Sequence, residues 1–340
     1  MTPPLDLLRR PLRNLRVSVT DRCNLRCGYC MPEETYVWLP RKELLRFEEI
    51  LHVVRALQPL GVSKVRLTGG EPLLRKDLVS LVEQLSSAGL EDLALTTNGL
   101  LLGEQAAALR AAGLRRITVS LDSLDRARYA DLTRRDALDQ ALAGLEAAAV
   151  AGFDSVKINA VMMSGRNDDE LESLLAFAMD AGYELRFIEY MDVGGATRWS
   201  GDQVLPAADM LQRLEKRFGP ITALPTDGVA PARRYALSSG QVFGIIASTT
   251  EPFCGTCDRA RLTADGRFFT CLYAADGLDL RAAVREGLRG PELAEIVTER
   301  WARRSDRGAE ERLASADRAA LAAPGELAAN PHLEMHTKGG

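Results

Sequence analysis

Histidine is scarce in this sequence: 340 residues contain only His52, His332 and His336, and their spacing matches no metal-binding motif. This scarcity argues against zinc hydrolases and against nucleophilic chemistry that depends on histidine. No apolar run is long enough to cross a membrane, and residues 1–16 contain no apolar core of a signal peptide. We therefore expect a cytoplasmic protein.

A strong charge of either sign is also lacking, since the formal net charge is -4. A protein without a global basic field must hold an anionic ligand through locally clustered Arg and Lys side chains. The composition therefore argues against an extended nucleic-acid-binding surface on this protein. A hydrophobic fraction of 46% with 26% charged residues is typical of a globular protein with an ample core. The length predicts two domains, which we place at residues 1–191 and 192–340.

The sequence has six cysteines, and none is left over once they are grouped into two sets of three. We call Cys23, Cys27 and Cys30 the first triad, and Cys254, Cys257 and Cys271 the second triad. Three thiols so close in sequence can hold an iron-sulfur cluster. A four-iron cluster held by three thiols leaves one iron for a ligand that is not protein.

Zinc and disulfides are the alternatives. A structural zinc site requires four protein ligands, and a disulfide framework suits a short secreted chain. Both triads lack an obvious fourth ligand, although half of a zinc ribbon stays open as an interpretation of the second triad.

Short β-rich runs alternate with amphipathic helical patterns between residues 15 and 190, which is typical of βαβ units on a parallel sheet. The predicted strands lie near residues 15–19, 64–68, 92–96, 117–120, 155–161 and 184–188. The predicted helices lie near residues 43–58, 77–88, 104–112, 136–151 and 168–181. The fold class is therefore α/β, an incomplete (β/α)6 barrel of the TIM type with a C-terminal α+β extension that carries the second triad.

Polar motifs follow three of these strands, at residues 68–72 (Thr-Gly-Gly-Glu-Pro), 96–99 (Thr-Thr-Asn-Gly) and 120–122 (Ser-Leu-Asp). In barrel-like α/β folds the loops at the carboxyl ends of the strands build the active site. The three motifs and the first triad are therefore expected at the same end of the barrel, where the parallel strands end. Because Gly70 has no Cβ, the backbone there can approach a ligand's ammonium group closely.

The pattern changes after residue 191. Residues 192–199 are predicted to form a glycine-containing linker, and residues 206–218 a helix. The Asp265-Gly266 turn predicts a hairpin that brings Cys271 back beside Cys254 and Cys257. Residues 280–312 are predicted to be helical without chemistry, and the polar last ten residues are expected to be disordered.

The CxxxCxxC spacing of the first triad, together with Gly69-Gly70-Glu71-Pro72, resembles the radical S-adenosylmethionine (SAM) superfamily. The resemblance implies that the open iron of a [4Fe-4S] cluster chelates SAM through its amino and carboxylate groups. It also implies reductive cleavage of SAM to a 5′-deoxyadenosyl radical. The residues that would line the SAM site are Tyr29, Gly70, Ser120 and Met191.

Both triads taken together, with Arg259, Arg261 and the segment 186–191, resemble the GTP 3′,8-cyclase family, lyases that begin molybdenum cofactor biosynthesis. The resemblance implies conversion of GTP to (8S)-3′,8-cyclo-7,8-dihydro-GTP, with the guanine base held by a second [4Fe-4S] cluster. The residues that would bind GTP are Arg16, Arg66, Thr97, Lys157, Arg186, Arg259 and Arg261. The residues implied to be catalytic are Arg16, the first triad and the terminal Gly339 and Gly340, which would reach into the active site.

The residues support part of this set directly. Arg259 and Arg261 are two positions apart, so on a strand they project from one face, which suits bidentate phosphate contacts. Arg66 lies between Val65 and Leu67 in a predicted strand, and an inward charge there needs a partner, which a triphosphate would supply.

The sequence departs from the family at both ends of the chain. Lys338 precedes the two glycines where the family tends to have an apolar residue, and Arg9-Arg10-Pro11 replaces the usual Gly-Arg of the N-terminal arm.

Two other functions stay open. A radical SAM peptide-modifying enzyme also carries auxiliary clusters, usually with more than three extra cysteines, and a nucleotide-binding module with iron-sulfur or zinc would lack turnover. The resemblance further implies an external electron donor, a homodimer, and transfer of the product to cyclic pyranopterin monophosphate synthase, the next enzyme of the pathway.

Overall fold

Twelve strands form one continuous sheet in the computed structural model, which describes residues 3–225 and 228–339. Their bounds are β1 Asn14–Ser18, β2 Lys64–Thr68, β3 Asp92–Thr97, β4 Arg116–Ser120, β5 Ser155–Met162, β6 Glu184–Glu189, β7 Ile221–Ala223, β8 Arg233–Leu237, β9 Val242–Ile246, β10 Arg259–Leu262, β11 Arg267–Phe269 and β12 Leu278–Asp279. The order across the sheet is β12-β11-β10-β1-β2-β3-β4-β5-β6-β9-β8-β7.

Helices connect and cover these strands. Their bounds are α1 Phe47–Leu57, α2 Leu78–Ser86, α3 Leu102–Ala111, α4 Arg126–Thr133, α5 Leu138–Val150, α6 Leu171–Asp180, α7 Ala207–Phe218, α8 Leu280–Arg285, α9 Gly290–Ala302, α10 Gly308–Leu313, α11 Pro324–Ala329 and α12 Met335–Lys338. In the described residues no helix has both the length and the apolar character needed to span a bilayer.

The six strands β1 to β6 are parallel neighbours in chain order, which confirms the predicted α/β fold with six β/α units. Side chains alternate between the two faces of each strand. Leu15 and Val17 of β1 are buried in the main hydrophobic core, whereas Arg16 between them faces the other way. The alternation therefore places the apolar core under the helices and leaves the inner face of the sheet polar.

The C-terminal part of the chain extends this sheet on both sides. Strand β9 pairs in parallel with β6, and β10 pairs in parallel with β1, with Arg16 opposite Arg261. Strands β10 and β11 form the antiparallel hairpin predicted from Asp265-Gly266, which is confirmed. The sheet is continuous across residue 191, and the division into two domains there stays a prediction.

Helix α4 was not predicted from the sequence. Its buried residues are Tyr129, Leu132 and Thr133, too few to give an apolar stripe along eight residues. The signal that could have located it is Asp125, whose side chain accepts a hydrogen bond of 2.8 Å from the backbone N–H of Arg128 and so caps the helix.

Residues 192–199 do not form the expected linker. Asp192, Val193 and Ala196 are buried, and a Cβ at Gly194 would overlap the carbonyl oxygen of Leu333. The glycines of this segment therefore permit close packing between backbones, not flexibility.

The expected disorder is also wrong for residues 331–339, and Gly340 lies outside the described residues. Residues 335–338 form helix α12, and His336, Thr337 and Lys338 are buried. Polar composition was misleading here because the ammonium group of Lys338 finds backbone carbonyl partners inside the protein.

A buried tryptophan provides a test of the packing between α9 and the N-terminal arm. Trp301 has no exposed surface, and its Nε1–H donates to the carbonyl of Arg10 at 3.0 Å. We expect Trp301→Ala to lower the free energy of unfolding by about 3–5 kcal/mol because it leaves a large cavity. Chemical denaturation measures this loss, and the exposed Val150 provides the control, since Val150→Ala should change stability by less than about 0.5 kcal/mol. Equal stability of the two variants would contradict the packing described here.

Candidate active site

Both cysteine triads face a single cavity of about 610 Å³ inside the barrel. The first triad follows the carboxyl end of β1, and the second triad lies beside the start of β10, at the amino ends of the parallel strands. All six cysteines are free thiols, and each is partly exposed to this cavity. The hairpin of β10 and β11 brings Cys271 to the same cavity as Cys254 and Cys257. The two triads therefore line one cavity in the structure.

The loop of the first triad is held by the C-terminal end of α4. The backbone N–H groups of Arg26 and Gly28 donate to the carbonyls of Thr133 and Leu132, both at 2.9 Å. These carbonyls belong to the last turn of α4, where helical partners are lacking. The unpredicted helix thus fixes the backbone between Cys23 and Cys30.

Gly70 packs against this same loop. Its N–H donates to the carbonyl of Thr20 at 2.8 Å, and a Cβ at Gly70 would overlap the carbonyl oxygen of Arg22. The absence of a side chain is therefore required for contact between the two loops, a reason different from the expected approach to a ligand. Gly70 also lines the cavity, so the predicted SAM contact stays a prediction.

Glu71 connects the motif after β2, residues 68–72, with the motif after β3, residues 96–99. One carboxylate oxygen accepts from the Thr97 hydroxyl at 2.7 Å and from the Leu73 N–H at 3.0 Å, and the other accepts from the Asn98 N–H at 2.7 Å. Burial raises the pKa of Glu71 to about 7, although these hydrogen bonds act in the opposite direction. Thr97 lines the cavity, but its hydroxyl already donates to Glu71.

Tyr29 is positioned by Asp122, a residue that sequence reasoning placed in a motif but not in the site. The Tyr29 hydroxyl donates to Asp122 at 2.7 Å, and the second oxygen of Asp122 accepts from the Val161 N–H at 2.8 Å. Burial raises the pKa of Asp122 to about 6. The remaining predicted SAM residues, Ser120 and Met191, line the same cavity.

Arginines surround the second triad. Arg10 and Arg304 donate to the carbonyls of Cys254 and Cys257, each at 2.7 Å, and the Nε of Arg259 lies 3.3 Å from the sulfur of Cys257. Burial acts to raise the pKa of Cys257, but Arg259 and Arg304 outweigh it and lower that pKa to about 6. Arg10, from the part of the arm that departs from the family, therefore supports this loop.

The first triad fits a cationic centre. Burial raises the pKa of the Cys27 thiol well above its usual range, and the nearby Cys23 and Cys30 raise it further. Buried thiols that converge in this way are stabilised as thiolates by a positively charged metal centre. In residues 3–225 and 228–339 no three His, Cys, Asp or Glu side chains are grouped as ligands of one ion. In a four-iron cluster each thiolate binds its own iron.

Three arginines lie side by side on the inner face of the sheet. Arg261 of β10 is in register with Arg16 of β1, and Arg16 is in register with Arg66 of β2. We call these residues the arginine row. They line the cavity together with Arg259, which lies two positions before Arg261 on β10.

No carboxylate pairs with the arginine row or with Arg259 in the part of the chain that the structure describes. Burial, followed by repulsion from Arg261, Arg259 and Arg66, lowers the pKa of Arg16 well below its usual value. Burial and neighbouring arginines likewise lower the pKa of Arg66 and of Arg261 to about 10. The three guanidinium groups of the arginine row thus converge on the cavity without a carboxylate from the described chain, which is costly unless a ligand supplies an anion.

Lys157 and Arg186 differ from the other predicted GTP residues. Glu184 accepts from the ammonium of Lys157 at 2.6 Å and from the Nε of Arg186 at 3.1 Å. The protein itself therefore supplies the charge that neutralises Lys157 and Arg186, and neither side chain needs a triphosphate for this purpose. Arg186 lines the cavity and Lys157 does not. Sequence reasoning missed Lys64 and Arg116, basic strand residues that also line it.

The tail reaches the arginine row. The carbonyl of Gly339 accepts a hydrogen bond of 2.7 Å from Arg261, whereas Gly340 lies outside the described residues. Met335 and His336 line the cavity although no site role was predicted for them.

Comparison with known proteins defines the class first. Residues 17–178 match the model of the radical SAM superfamily. The fold is similar to that of Streptococcus suis SuiB bound to S-adenosylmethionine, with a TM-score of 0.58 and 18% sequence identity over 84% of this chain and 68% of that one. The chain belongs to the radical SAM superfamily.

The particular family follows from the whole chain. Residues 183–310 match the Molybdenum Cofactor Synthesis C model. GTP 3′,8-cyclase 1 of Mycobacterium tuberculosis H37Rv is 54% identical, over 98% of this chain and 95% of that protein. GTP 3′,8-cyclase of Acidothermus cellulolyticus is 50% identical, over 93% and 91%. The chain belongs to the GTP 3′,8-cyclase family.

The close contact at Gly70 generates a test of the first triad. We expect Gly70→Ala to displace the loop that follows Thr20, because the added methyl group would overlap the Arg22 carbonyl, and so to reduce the iron bound per chain after anaerobic reconstitution. Gly103→Ala is the control, since a Cβ there meets no atom within 4 Å and alanine favours the helix. Full iron content in Gly70→Ala would show that the two loops do not need this contact.

Proposed function

We propose that this chain converts GTP to (8S)-3′,8-cyclo-7,8-dihydro-GTP, the first step of molybdenum cofactor biosynthesis. The observation that carries the proposal is one cavity lined by two cysteine triads, with a row of arginines that lack carboxylate partners among the described residues. Such a cavity can hold a redox-active cluster, a second cluster and a polyanion at the same time.

The residues divide by chemistry. Cys23, Cys27 and Cys30 would hold a cluster that, with SAM bound, supplies the radical chemistry for removing a hydrogen atom from the ribose. Tyr29, Gly70, Ser120 and Met191 would line the SAM site, and the second triad would hold a cluster that binds guanine.

The arginine row and Arg259 would bind the triphosphate. A guanidinium group makes bidentate, charge-assisted contacts with phosphate oxygens, and these contacts fix orientation as well as position. Because β10 and β1 are neighbours between the two cysteine loops, a triphosphate held there would direct the nucleoside into the cavity that both triads face. Thr97, Lys157 and Arg186 belong to the proposed GTP site as well.

The remaining parts of the proposal rest on the family resemblance. The enzyme would act in the cytoplasm as a homodimer, accept electrons from an external donor, and pass its product to cyclic pyranopterin monophosphate synthase.

Anaerobic incubation with SAM, dithionite and GTP tests the reaction. We expect about eight iron and eight sulfide per chain, and 5′-deoxyadenosine formation that depends on GTP. Cys27→Ala should abolish SAM cleavage, whereas Cys257→Ala should retain uncoupled cleavage and lose GTP binding. Formation of 5′-deoxyadenosine that is independent of GTP and stimulated by peptides would assign the protein to the peptide-modifying enzymes. Zinc in the second triad would refute the role given to that triad.

Arg16 provides a test that separates binding from stability. Arg16→Met keeps an apolar side chain of similar length and removes a buried charge that three other arginines repel. We expect GTP affinity, measured by calorimetry without SAM, to fall by about 1.5–3 kcal/mol. The free energy of unfolding should stay unchanged or rise.

The matched control is Arg303→Met, at a side chain that is 80% exposed, and it should leave both quantities unchanged. A loss of stability with unaltered GTP affinity in Arg16→Met would mean that Arg16 serves the fold.

A further inference from the structure

The C-terminal tail, residues 331–339, brings a lysine into the interior of the protein. Lys338 has no exposed surface. Lysine is almost never fully buried unless its ammonium group has partners. The ammonium group of Lys338 therefore needs hydrogen-bond partners inside the protein.

Both hydrogen-bond partners lie in the loop that follows Cys271. The ammonium group donates to the carbonyl of Leu272 at 2.9 Å and to that of Ala274 at 2.5 Å. It also lies 4.9 Å from the centre of the Phe269 ring. The Lys338 side chain of the tail thus contacts the backbone of the residues that directly follow Cys271.

The next residue contacts the arginine row. The carbonyl of Gly339 accepts from Arg261 at 2.7 Å. Gly339 has a φ of 69°, and a Cβ there would overlap the side chain of Thr68. Because Lys338 and Gly339 are adjacent, the contacts of Lys338 restrict where the Gly339 carbonyl can lie.

Earlier residues of the tail are held near the first triad. The backbone N–H of Met335 donates to the carbonyl of Gly194 at 2.8 Å. The ring of His336 packs edge-on against Tyr36 at 5.4 Å and Trp38 at 5.9 Å between ring centres. The tail therefore connects the loop after Cys30 with the loop after Cys271.

We propose that Lys338 is a positioning residue that fixes the tail to the loop carrying Cys271 and so holds the Gly339 carbonyl on Arg261. One Arg261 nitrogen is then occupied by the tail, which orients the guanidinium group toward the cavity. This last step rests on the proposed function, because it assigns the oriented guanidinium to the triphosphate. The attachment of the tail to the loop does not.

Hydrogen exchange tests the attachment. Lys338→Met removes both donors at similar size, whereas Lys338→Gln keeps an N–H donor. We expect exchange of the backbone amides of residues 335–338, followed by mass spectrometry, to quicken about tenfold in Lys338→Met and less in Lys338→Gln. Lys216→Met, at an exposed lysine of α7, should behave as the unmodified protein.

Kinetics separates positioning from a general structural role. In Lys338→Met we expect a raised KM for GTP, with the KM for SAM and the iron content per chain unchanged. Unaltered tail exchange in Lys338→Met, or exchange in Lys338→Gln as fast as in Lys338→Met, would overturn the proposal, and so would loss of iron. Failure of the unmodified protein to cyclise GTP would refute the proposed function alone, since the exchange experiment needs no GTP.

Discussion

The inner face of this sheet contains positive charge that the described part of the protein does not neutralise. Arg16, Arg66 and Arg261 occupy one register across three neighbouring strands, so the sheet holds their backbones side by side. The apolar residues on either side of each arginine fix this register, because a shift by one residue would exchange the two faces. Packing of the apolar core against the helices thus holds the arginines together inside the barrel, although their charges repel one another. Binding of an anion would relieve this repulsion.

The core of the fold could be predicted from the sequence because each β/α unit is encoded locally. Strands such as β2, with Val65 and Leu67 on one side and Arg66 on the other, carry a period-two pattern that needs no knowledge of distant residues. The two triads were predictable for the same reason, since their spacing and the Asp265-Gly266 turn are local. Helix α4 lacked such a pattern, and its importance lies in its last turn, which holds Arg26 and Gly28.

Pairings between residues far apart in sequence could not be predicted. Glu184 neutralises Lys157 from the neighbouring strand, and Lys338 is satisfied by Leu272 and Ala274. Both relationships depend on register and loop course, which a single sequence does not reveal. In the sequence the glycines at 194 and 195 are typical of a linker, but in the structure they pack against the backbones of Leu333 and Cys30. A polar composition therefore does not show that a segment is exposed, because backbone carbonyl groups can provide hydrogen-bond partners for a buried polar side chain.

Fold alone does not distinguish a nucleotide cyclase from a peptide-modifying enzyme, since SuiB shares the architecture at 18% identity and has been solved with a precursor peptide and with SAM. The distribution of charge does. Glu71 and Asp122 line the cavity together with the first triad, where a ligand with ammonium and sulfonium charges is proposed to bind. The arginines that lack carboxylate partners in the described structure line the same cavity, and Arg259 among the cavity arginines contacts the second triad, so a polyanion would be stabilised on that side. A cavity divided in this way favours a cationic cofactor at one end and a triphosphate at the other, and a peptide backbone, which carries no net charge, would leave the arginines without an anion.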